Sequence, residues 1–177
     1  MKKLISALLS LALIACGEDE ERINNDLLIP VEIFGFYDYG EGGVGVFLKG
    51  EEAKVVPIII GHFEAQALQM AINKQELPRP IPYDLLQAML ERMEGNIRQL
   101  VIHSIKENVF HAYLVIEAQG KSFSLDCRPS DGMVMVSRLG APIYLTSEVM
   151  EQAGTSLKDM EKVMWNPSRE QAPASRL

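Results

Sequence analysis

The chain has 177 residues, of which 17 are lysine or arginine and 24 are aspartate or glutamate, so its formal net charge is −7 at neutral pH. This length allows one domain with a substantial hydrophobic core. The negative charge excludes a protein whose whole surface attracts polyanions, so any contact with nucleic acid must be local.

The N-terminal segment has the pattern of a bacterial lipoprotein signal. A basic start, Met1-Lys2-Lys3, precedes an apolar run from Leu4 to Ala15, and Cys16 follows directly. The run is too short to span a membrane. We expect residues 1–15 to be a signal peptide, Cys16 to be lipidated and residues 16–26 to form a tether. The protein would then be lipid-anchored to a membrane of the cell envelope, facing outside the cytoplasm. The alternative is a plain secretory signal with an incidental cysteine.

Residues 27–153 are predicted to form one domain with an internal duplication. Each half has three strand-like segments separated by turns, then a segment with helical periodicity. The segments are Val31–Asp38, Val44–Lys49, Lys54–Ile60 and Ala65–Ile72 in the first half, and Arg98–Ile105, Val109–Glu117, Lys121–Leu125 and Met133–Leu139 in the second. A shift of 67 positions lays Gly61 on Arg128 and Glu64 on Asp131. We therefore predict an α+β fold, a duplicated β-β-β-α unit with helices packed on a largely antiparallel sheet.

The linker between the halves contains three prolines between Leu77 and Tyr83, which exclude a helix there. Arg79 is thereby held on a stiff extended segment. It is either available to a ligand or paired with a carboxylate on the next helix. That helix is predicted from Tyr83 to Gly95 by the spacing of its apolar residues.

The C-terminal part is predicted to be short elements followed by a tail. A strand at Pro142–Leu145 precedes a helix that ends near Gln152. Residues 154–177 are predicted to hold one more helix and then a disordered segment, because few of the last residues could be buried.

The junction after the last strand of the second half concentrates charge. Asp126, Arg128 and Asp131 lie where a strand leads into a helix, a common place for a functional site. The alternative is a helix cap, in which Ser130 or Asp131 binds free backbone N–H groups and Arg128 pairs with an acid. Cys127 alternates with apolar residues and is predicted to be a buried thiol.

The histidines are weaker candidates for a functional site. His103 and His111 are predicted to face each other across a hairpin that turns at Lys106-Glu107-Asn108. No third ligand follows at useful spacing, so a polar pair on the outer sheet face is favoured over a metal site. His62, beside Glu64, is a candidate base or ligand, or a solvated residue at a helix start.

Three blocks of sequence follow one another in a characteristic order and spacing. They are Pro57-Ile58-Ile59-Ile60-Gly61-His62-Phe63-Glu64-Ala65, Pro78-Arg79-Pro80 through Asp84-Leu85-Leu86, and Asp126-Cys127-Arg128-Pro129-Ser130-Asp131. Together they resemble the bifunctional nuclease domain family of bacterial and plant proteins, from about Leu28 to about Val149. In two places the chain departs from the family pattern. Pro82 and Tyr83 stand where the family usually has Thr-His, and Gly132 stands where it usually has Ala.

The resemblance implies hydrolysis of DNA and RNA, with nucleic acid as the substrate. The candidate catalytic residues that follow from it are Glu64, Arg79, Asp126, Arg128 and Asp131. The arginines suit phosphate binding, while the acids suit a general base or a divalent cation, Mg or Mn. Candidate metal ligands are Glu64, Asp84 and Asp131. A homo-oligomer is a further expectation. The rival hypothesis is a non-catalytic binding or scaffold module of the cell envelope on the same fold.

Overall fold

The computed structural model describes residues 27–50 and 53–164. The predicted signal peptide, the lipidation of Cys16, the tether up to residue 26 and the tail after residue 164 lie outside the described residues. No helix in the described ranges is long and apolar enough to cross a membrane.

The described chain contains eight strands, five α-helices and a single 3-10 turn at Gly40–Gly42. In chain order these elements are β1 Leu28–Asp38, β2 Val44–Lys49, β3 Lys54–Ile60, α1 His62–Ile72, α2 Pro82–Arg92, β4 Gly95–Lys106, β5 Val109–Ala118, β6 Lys121–Cys127, α3 Pro129–Leu139, β7 Ile143–Thr146, α4 Ser147–Ala153, β8 Thr155–Ser156 and α5 Leu157–Met164. The predicted α+β class is confirmed.

The strands form one sheet in the order β6-β5-β4-β7-β1-β2-β3-β8. Every neighbouring pair is antiparallel except β4 and β7, which are parallel. Two three-stranded meanders, β1-β2-β3 and β4-β5-β6, therefore flank the central strand β7 in mirrored order. Strand β1 serves both sides, because its first residues pair with β7 and, past Val31, the rest pairs with β2.

The predicted duplication is visible in the element boundaries. A shift of 67 residues carries β3 onto β6 and α1 onto α3 with the same first and last residues. It also carries the start of β1 at Leu28 onto the start of β4 at Gly95. Each half is thus a meander followed by an 11-residue helix.

Helices α1 and α3 cover the core of the sheet. Leu68 from α1 and Met133 and Val134 from α3 are fully buried with Leu100 of β4. A Cβ at Gly132 would collide with the Leu100 side chain and approach Cys127 Sγ to 3.2 Å. The glycine therefore lets α3 pack closely on β4 and β6, which fixes the position of the first turn of α3.

Several predicted boundaries are wrong. Helix α1 begins at His62, three residues before the predicted start, and α3 begins at Pro129, ahead of the apolar run Met133–Leu139 from which a helix was predicted. Their first turns are polar, and this hid the helical periodicity. Helix α2 ends at Arg92, and Gly95 begins β4 instead of terminating the helix.

Two smaller predictions also need correction. The β4–β5 hairpin turns at Glu107 and Asn108 alone, both with positive φ, as a two-residue hairpin requires. Strand β6 is an edge strand, so its Phe123 and Leu125 are 49% and 52% exposed although the alternating pattern suggested a buried face.

Candidate functional site

The guanidinium of Arg128 joins the starts of the two duplicated helices. Its Nε and Nη2 donate hydrogen bonds of 2.6 and 3.0 Å to the two carboxylate oxygens of Asp131. Its Nη1 lies 3.2 Å from Oε1 of Glu64 at the start of α1. The strands that lead into these helices, β3 and β6, are separated by five other strands in the sheet. The predicted pair Glu64 and Asp131 is therefore brought together, with Arg128 between them.

Local backbone geometry explains this arrangement. Arg128 is the N-cap of α3, with φ −68° and ψ 142°, and Pro129 occupies the first helical position, where its missing N–H is not needed. Asp131 is then the third helical residue, as Glu64 is in α1. A carboxylate in the first turn is favoured by the partial positive charge of the helix start.

Gly61 is the equivalent N-cap of α1, with φ −69° and ψ 158°. A Cβ there would collide with the Glu64 carboxylate. The glycine therefore makes room for Glu64 to reach Arg128 of the other repeat. The helix-cap alternative is therefore half right: Arg128 pairs with an acid as it expected, while no side-chain cap hydrogen bond forms at the start of α3.

Tyr83 is a member of this cluster that the sequence did not reveal. Its hydroxyl donates a 2.8 Å hydrogen bond to Oδ1 of Asp131. Tyr83 lies in the first turn of α2, 48 residues before Asp131, and it stands where the family resemblance expects a histidine. The tyrosine in place of the expected histidine was the sequence signal that could have revealed Tyr83 as a site residue, because both side chains are polar.

The electrostatics of the cluster favour an ionised Asp131 and a protonated phenol at Tyr83. Partial burial alone would raise the pKa of Asp131, but the hydrogen bonds from Arg128 and Tyr83 and the charge of Arg128 outweigh it and lower that pKa. Burial, followed by the hydrogen bond to Asp131, raises the pKa of Tyr83. The hydrogen bond to Asp131 also raises the pKa of Arg128. At neutral pH the cluster therefore contains a charged arginine, ionised Asp131 and neutral Tyr83.

Arg128 retains capacity for a ligand. Its side chain is 65% exposed, whereas those of Glu64 and Asp131 are 23% and 32% exposed. Its contacts with the two acids use three of the five guanidinium N–H donors. The other two have no partner among the described residues. The geometry is thus suited to an oxyanion that approaches Arg128 from solvent.

The site offers few protein ligands for a divalent cation, but two carboxylates are available. Within residues 27–50 and 53–164 no three His, Cys, Asp or Glu side chains are grouped as a metal site would require. Mg²⁺ is often held by one or two protein carboxylates together with substrate phosphates and water. Glu64 and Asp131 could supply such a pair, since both contact the same guanidinium.

The other predicted site residues lie apart from these contacts. Arg79 is exposed and forms no ion pair or hydrogen bond with another described residue. Asp126 is exposed on the edge strand β6, opposite Tyr113 of β5. Asp84 binds the N–H of Ile81 at 2.7 Å and forms an ion pair with Arg138 at the end of α3.

The histidines and the cysteine also have defined surroundings. His62 donates from Nε2 to the Gly40 carbonyl at 2.9 Å. The rings of His103 and His111 are 6.4 Å apart, but the predicted facing pair is not formed, because the two-residue turn pairs His111 with Ser104. Burial, with the charges of Asp126 and Asp131, raises the pKa of Cys127 to about 11. This half-buried thiol is therefore protonated at neutral pH.

Comparison with known proteins identifies the family. The bifunctional nuclease domain matches residues 46–158, a range that contains Glu64, Tyr83, Arg128 and Asp131. The chain belongs to the bifunctional nuclease domain family. The resemblance predicted from the three sequence blocks is confirmed, and the match covers both helix starts of the cluster.

Individual relatives are more distant. An uncharacterised protein of Mycobacterium tuberculosis is 30% identical over 106 residues, which are 60% of this chain and 63% of the relative. Bifunctional nuclease 1 of rice is 26% identical over 62% of this chain and 34% of its own length. Bifunctional nuclease 2 of Arabidopsis thaliana is 24% identical over 73% of this chain and 40% of its own length. The chain thus spans less than two thirds of each of these relatives.

Proposed function

We propose that this bifunctional nuclease domain protein hydrolyses phosphodiester bonds in DNA and RNA. The observation that carries the proposal is the exposed guanidinium of Arg128, held by Glu64 and Asp131 from two helix starts. Bifunctional nucleases of rice and Arabidopsis among the relatives support the choice of reaction. Because the net charge is −7, contact with a polyanion would have to be local, through the exposed N–H donors of Arg128.

The chemistry requires stabilised negative charge and an activated water. Water attacks phosphorus, the bond from phosphorus to one sugar oxygen breaks, and charge accumulates on the non-bridging oxygens. The two remaining N–H donors of Arg128 would bind those oxygens. Glu64 would accept the proton of the attacking water, because it has one contact with Arg128 whereas Asp131 has two and a third with Tyr83. The leaving oxygen takes a proton from solvent.

A divalent cation, Mg²⁺ or Mn²⁺, belongs to the same proposal. With the cation bound, Glu64 would be a ligand together with Asp131 in place of its role as the base, and the cation would add charge stabilisation at the phosphate. Asp84 and Asp126 are less suited, because neither contacts Arg128, which would bind the phosphate; Asp84 pairs with Arg138 instead.

The test is cleavage by the purified full-length protein. Single-stranded DNA, duplex DNA and RNA are incubated with Mg²⁺, with Mn²⁺ or with EDTA. Arg128→Lys, Glu64→Gln and Asp131→Asn should each reduce the rate by about 100-fold or more. The matched control is Arg98→Lys, since Arg98 is an exposed arginine in a 3.0 Å ion pair with Glu117 outside the cluster. Thermal unfolding shows which variants remain folded. A parent without activity under all conditions, or folded variants that cleave at the parent rate, would favour the non-catalytic binding or scaffold module.

We also propose that Cys16 carries the lipid anchor predicted from the sequence, which places the domain at the membrane of the cell envelope. Two acyl chains suffice for stable anchoring. Mass spectrometry of the native N-terminus should find a modified Cys16, and Cys16→Ala should move the protein from the membrane fraction to the soluble fraction. An unmodified Met1 in the native protein would contradict this proposal.

Self-association through the edge strand β6 is the third part of the proposal. The outer edge of β6 has no partner strand within the described sheet. The side chains of Phe123 and Leu125 on this strand are about half exposed. Antiparallel pairing of two copies about Ser124 would place Phe123 opposite Leu125 of the second copy. Light scattering should find a dimer for the parent and a monomer for Phe123→Lys. A monomeric parent at all concentrations would exclude this mode.

A further inference from the structure

A cavity of about 590 Å³ lies between α1 and the segment that leads into α2. Its eleven lining residues carry no formal charge. Four of them are amides, Gln66, Gln69, Asn73 and Gln75, and the rest are aromatic or aliphatic apart from the Tyr83 hydroxyl. Pockets of this size, mostly apolar with a few polar groups, are typical of sites for small organic groups.

The cavity and the charged cluster share Tyr83. Tyr83 lines the cavity and donates through its hydroxyl to Asp131. Phe63 also lines the cavity and directly precedes Glu64 in the first turn of α1. A ligand that occupies both places would have a neutral part in the cavity and an anionic part near Arg128.

Phe63 is the most unusual residue of the lining. It is 86% exposed, more than any other apolar side chain of α1, of which Ala65, Ala67, Leu68 and Ala71 are buried. An exposed aromatic ring beside a phosphate-binding group is the arrangement that single-strand binding proteins use to stack bases.

We propose that this cavity binds an unpaired nucleobase of a single-stranded substrate. The base stacks on Phe63, the amides of Gln66, Gln69 or Asn73 bond its polar edge, and Arg128 contacts an adjoining phosphate. The neutral lining explains why the base, and not the phosphate, enters the cavity. In a duplex the base is paired and stacked, so it reaches the cavity only after it is flipped out, which costs free energy. This inference rests on the proposed function, because it assigns the substrate class to the same site.

The experiment compares DNA strands of equal phosphate charge that either carry or lack their bases. Binding of the full-length protein is measured by fluorescence anisotropy at one salt concentration, in EDTA and in Ca²⁺. The probes are a 12-nucleotide single-stranded DNA, the same length with abasic sites, and the corresponding duplex. The intact single strand should bind at least 10-fold more tightly than the other two.

Variants then test whether the base-dependent binding comes from the cavity. Phe63→Ala should weaken binding of the intact single strand by about 10-fold or more and leave the abasic strand unchanged. The matched control is Phe34→Ala, because Phe34 is a partly exposed aromatic residue of β1 that does not line the cavity. Since Phe63 is mostly exposed, its substitution should not change the unfolding temperature.

The outcomes separate this inference from the proposed function. Equal binding of intact and abasic strands, or an equal loss for both in Phe63→Ala, would overturn the nucleobase pocket. If Arg128-dependent cleavage is found at the same time, the proposed nuclease activity stands alone. If binding depends on the bases and on Phe63 but no cleavage occurs with any metal, the cavity is a nucleobase site and the nuclease proposal fails.

Discussion

The hydroxyl of Tyr83 donates a 2.8 Å hydrogen bond to the carboxylate of Asp131, and so connects the helix after the proline-rich segment with the second repeat. The same carboxylate accepts two hydrogen bonds from Arg128. Asp131 is therefore fixed from two sides, and its orientation depends on both neighbours.

Tyr83→Phe should impair function more than stability. The substitution removes one hydrogen bond from a half-buried carboxylate, which costs about 1 kcal/mol in the free energy of unfolding. Asp131 loses one of its two anchors, so we expect the cleavage rate to fall by about 10-fold. Urea unfolding and cleavage kinetics measure the two effects. Tyr83→His, which restores the residue that the family usually has, should recover most of the lost rate, and failure to do so would show that only the phenol fits.

Acid should selectively reduce the contribution of Asp131 to stability. The pKa of Asp131 is lower in the folded protein than in the unfolded chain, so its ionisation favours folding above the ordinary aspartate pKa of about 3.9. This contribution is lost as the pH falls through the lowered folded-state pKa. The effect should be below about 1 kcal/mol, because Arg128 is largely exposed and solvent screens the pair.

The measurement for Asp131 is the difference in unfolding free energy between the parent and Asp131→Asn. The difference should be largest near pH 6 and should shrink toward zero well below pH 4, since both proteins then carry an uncharged group. A difference that grows on acidification would contradict the lowered pKa.

Asp84→Asn should test whether this aspartate serves structure or catalysis. Its carboxylate binds the N–H of Ile81 and pairs with Arg138, whose side chain is only 18% exposed. We expect a loss of about 1–2 kcal/mol in stability, because a mostly buried arginine loses its charged partner. The cleavage rate at 20 °C or below should stay within about 3-fold of the parent. A loss of 100-fold in a folded variant would instead support Asp84 as a metal ligand.

The Cys127 thiol should react slowly with alkylating agents. Burial, together with the charges of Asp126 and Asp131, raises its pKa from 9.0 to about 11. Alkylation requires the thiolate. In a Cys16→Ser protein, where Cys127 is the single thiol, the iodoacetamide rate at pH 8 should be about 100-fold below that of an unperturbed cysteine. Unfolding in urea should restore the ordinary rate, and a fast reaction in the folded protein would contradict the raised pKa.

The repeated strands could be predicted from sequence because alternation and turn residues are local signals. The start of α1 was placed three residues late, since His62 and Glu64 make its first turn polar and interrupt the apolar periodicity. The equivalence of Glu64 and Asp131 survived this error, because it depends on spacing and not on exact boundaries.

The contacts made by α2 could not be predicted. The bonds from Tyr83 to Asp131 and from Arg138 to Asp84 join residues 48 and 54 positions apart. They depend on how α2 packs against α3, and no sequence period encodes that packing. The same holds for Arg79, whose stiff segment suggested a place in the site although the structure gives it no contact with the cluster.

The duplication also leaves one asymmetry, because Gly61 occupies in the first repeat the N-cap that Arg128 occupies in the second. Two identical repeats would present the same groups to both ends of a bound strand and could not tell its 5′ end from its 3′ end. The Arg128 guanidinium stands at the helix start of the second repeat, and the Phe63 ring stands at the helix start of the first. The two directions along the site therefore differ chemically. If the proposed nuclease function holds, a bound single strand would therefore have one preferred 5′-to-3′ direction along the site.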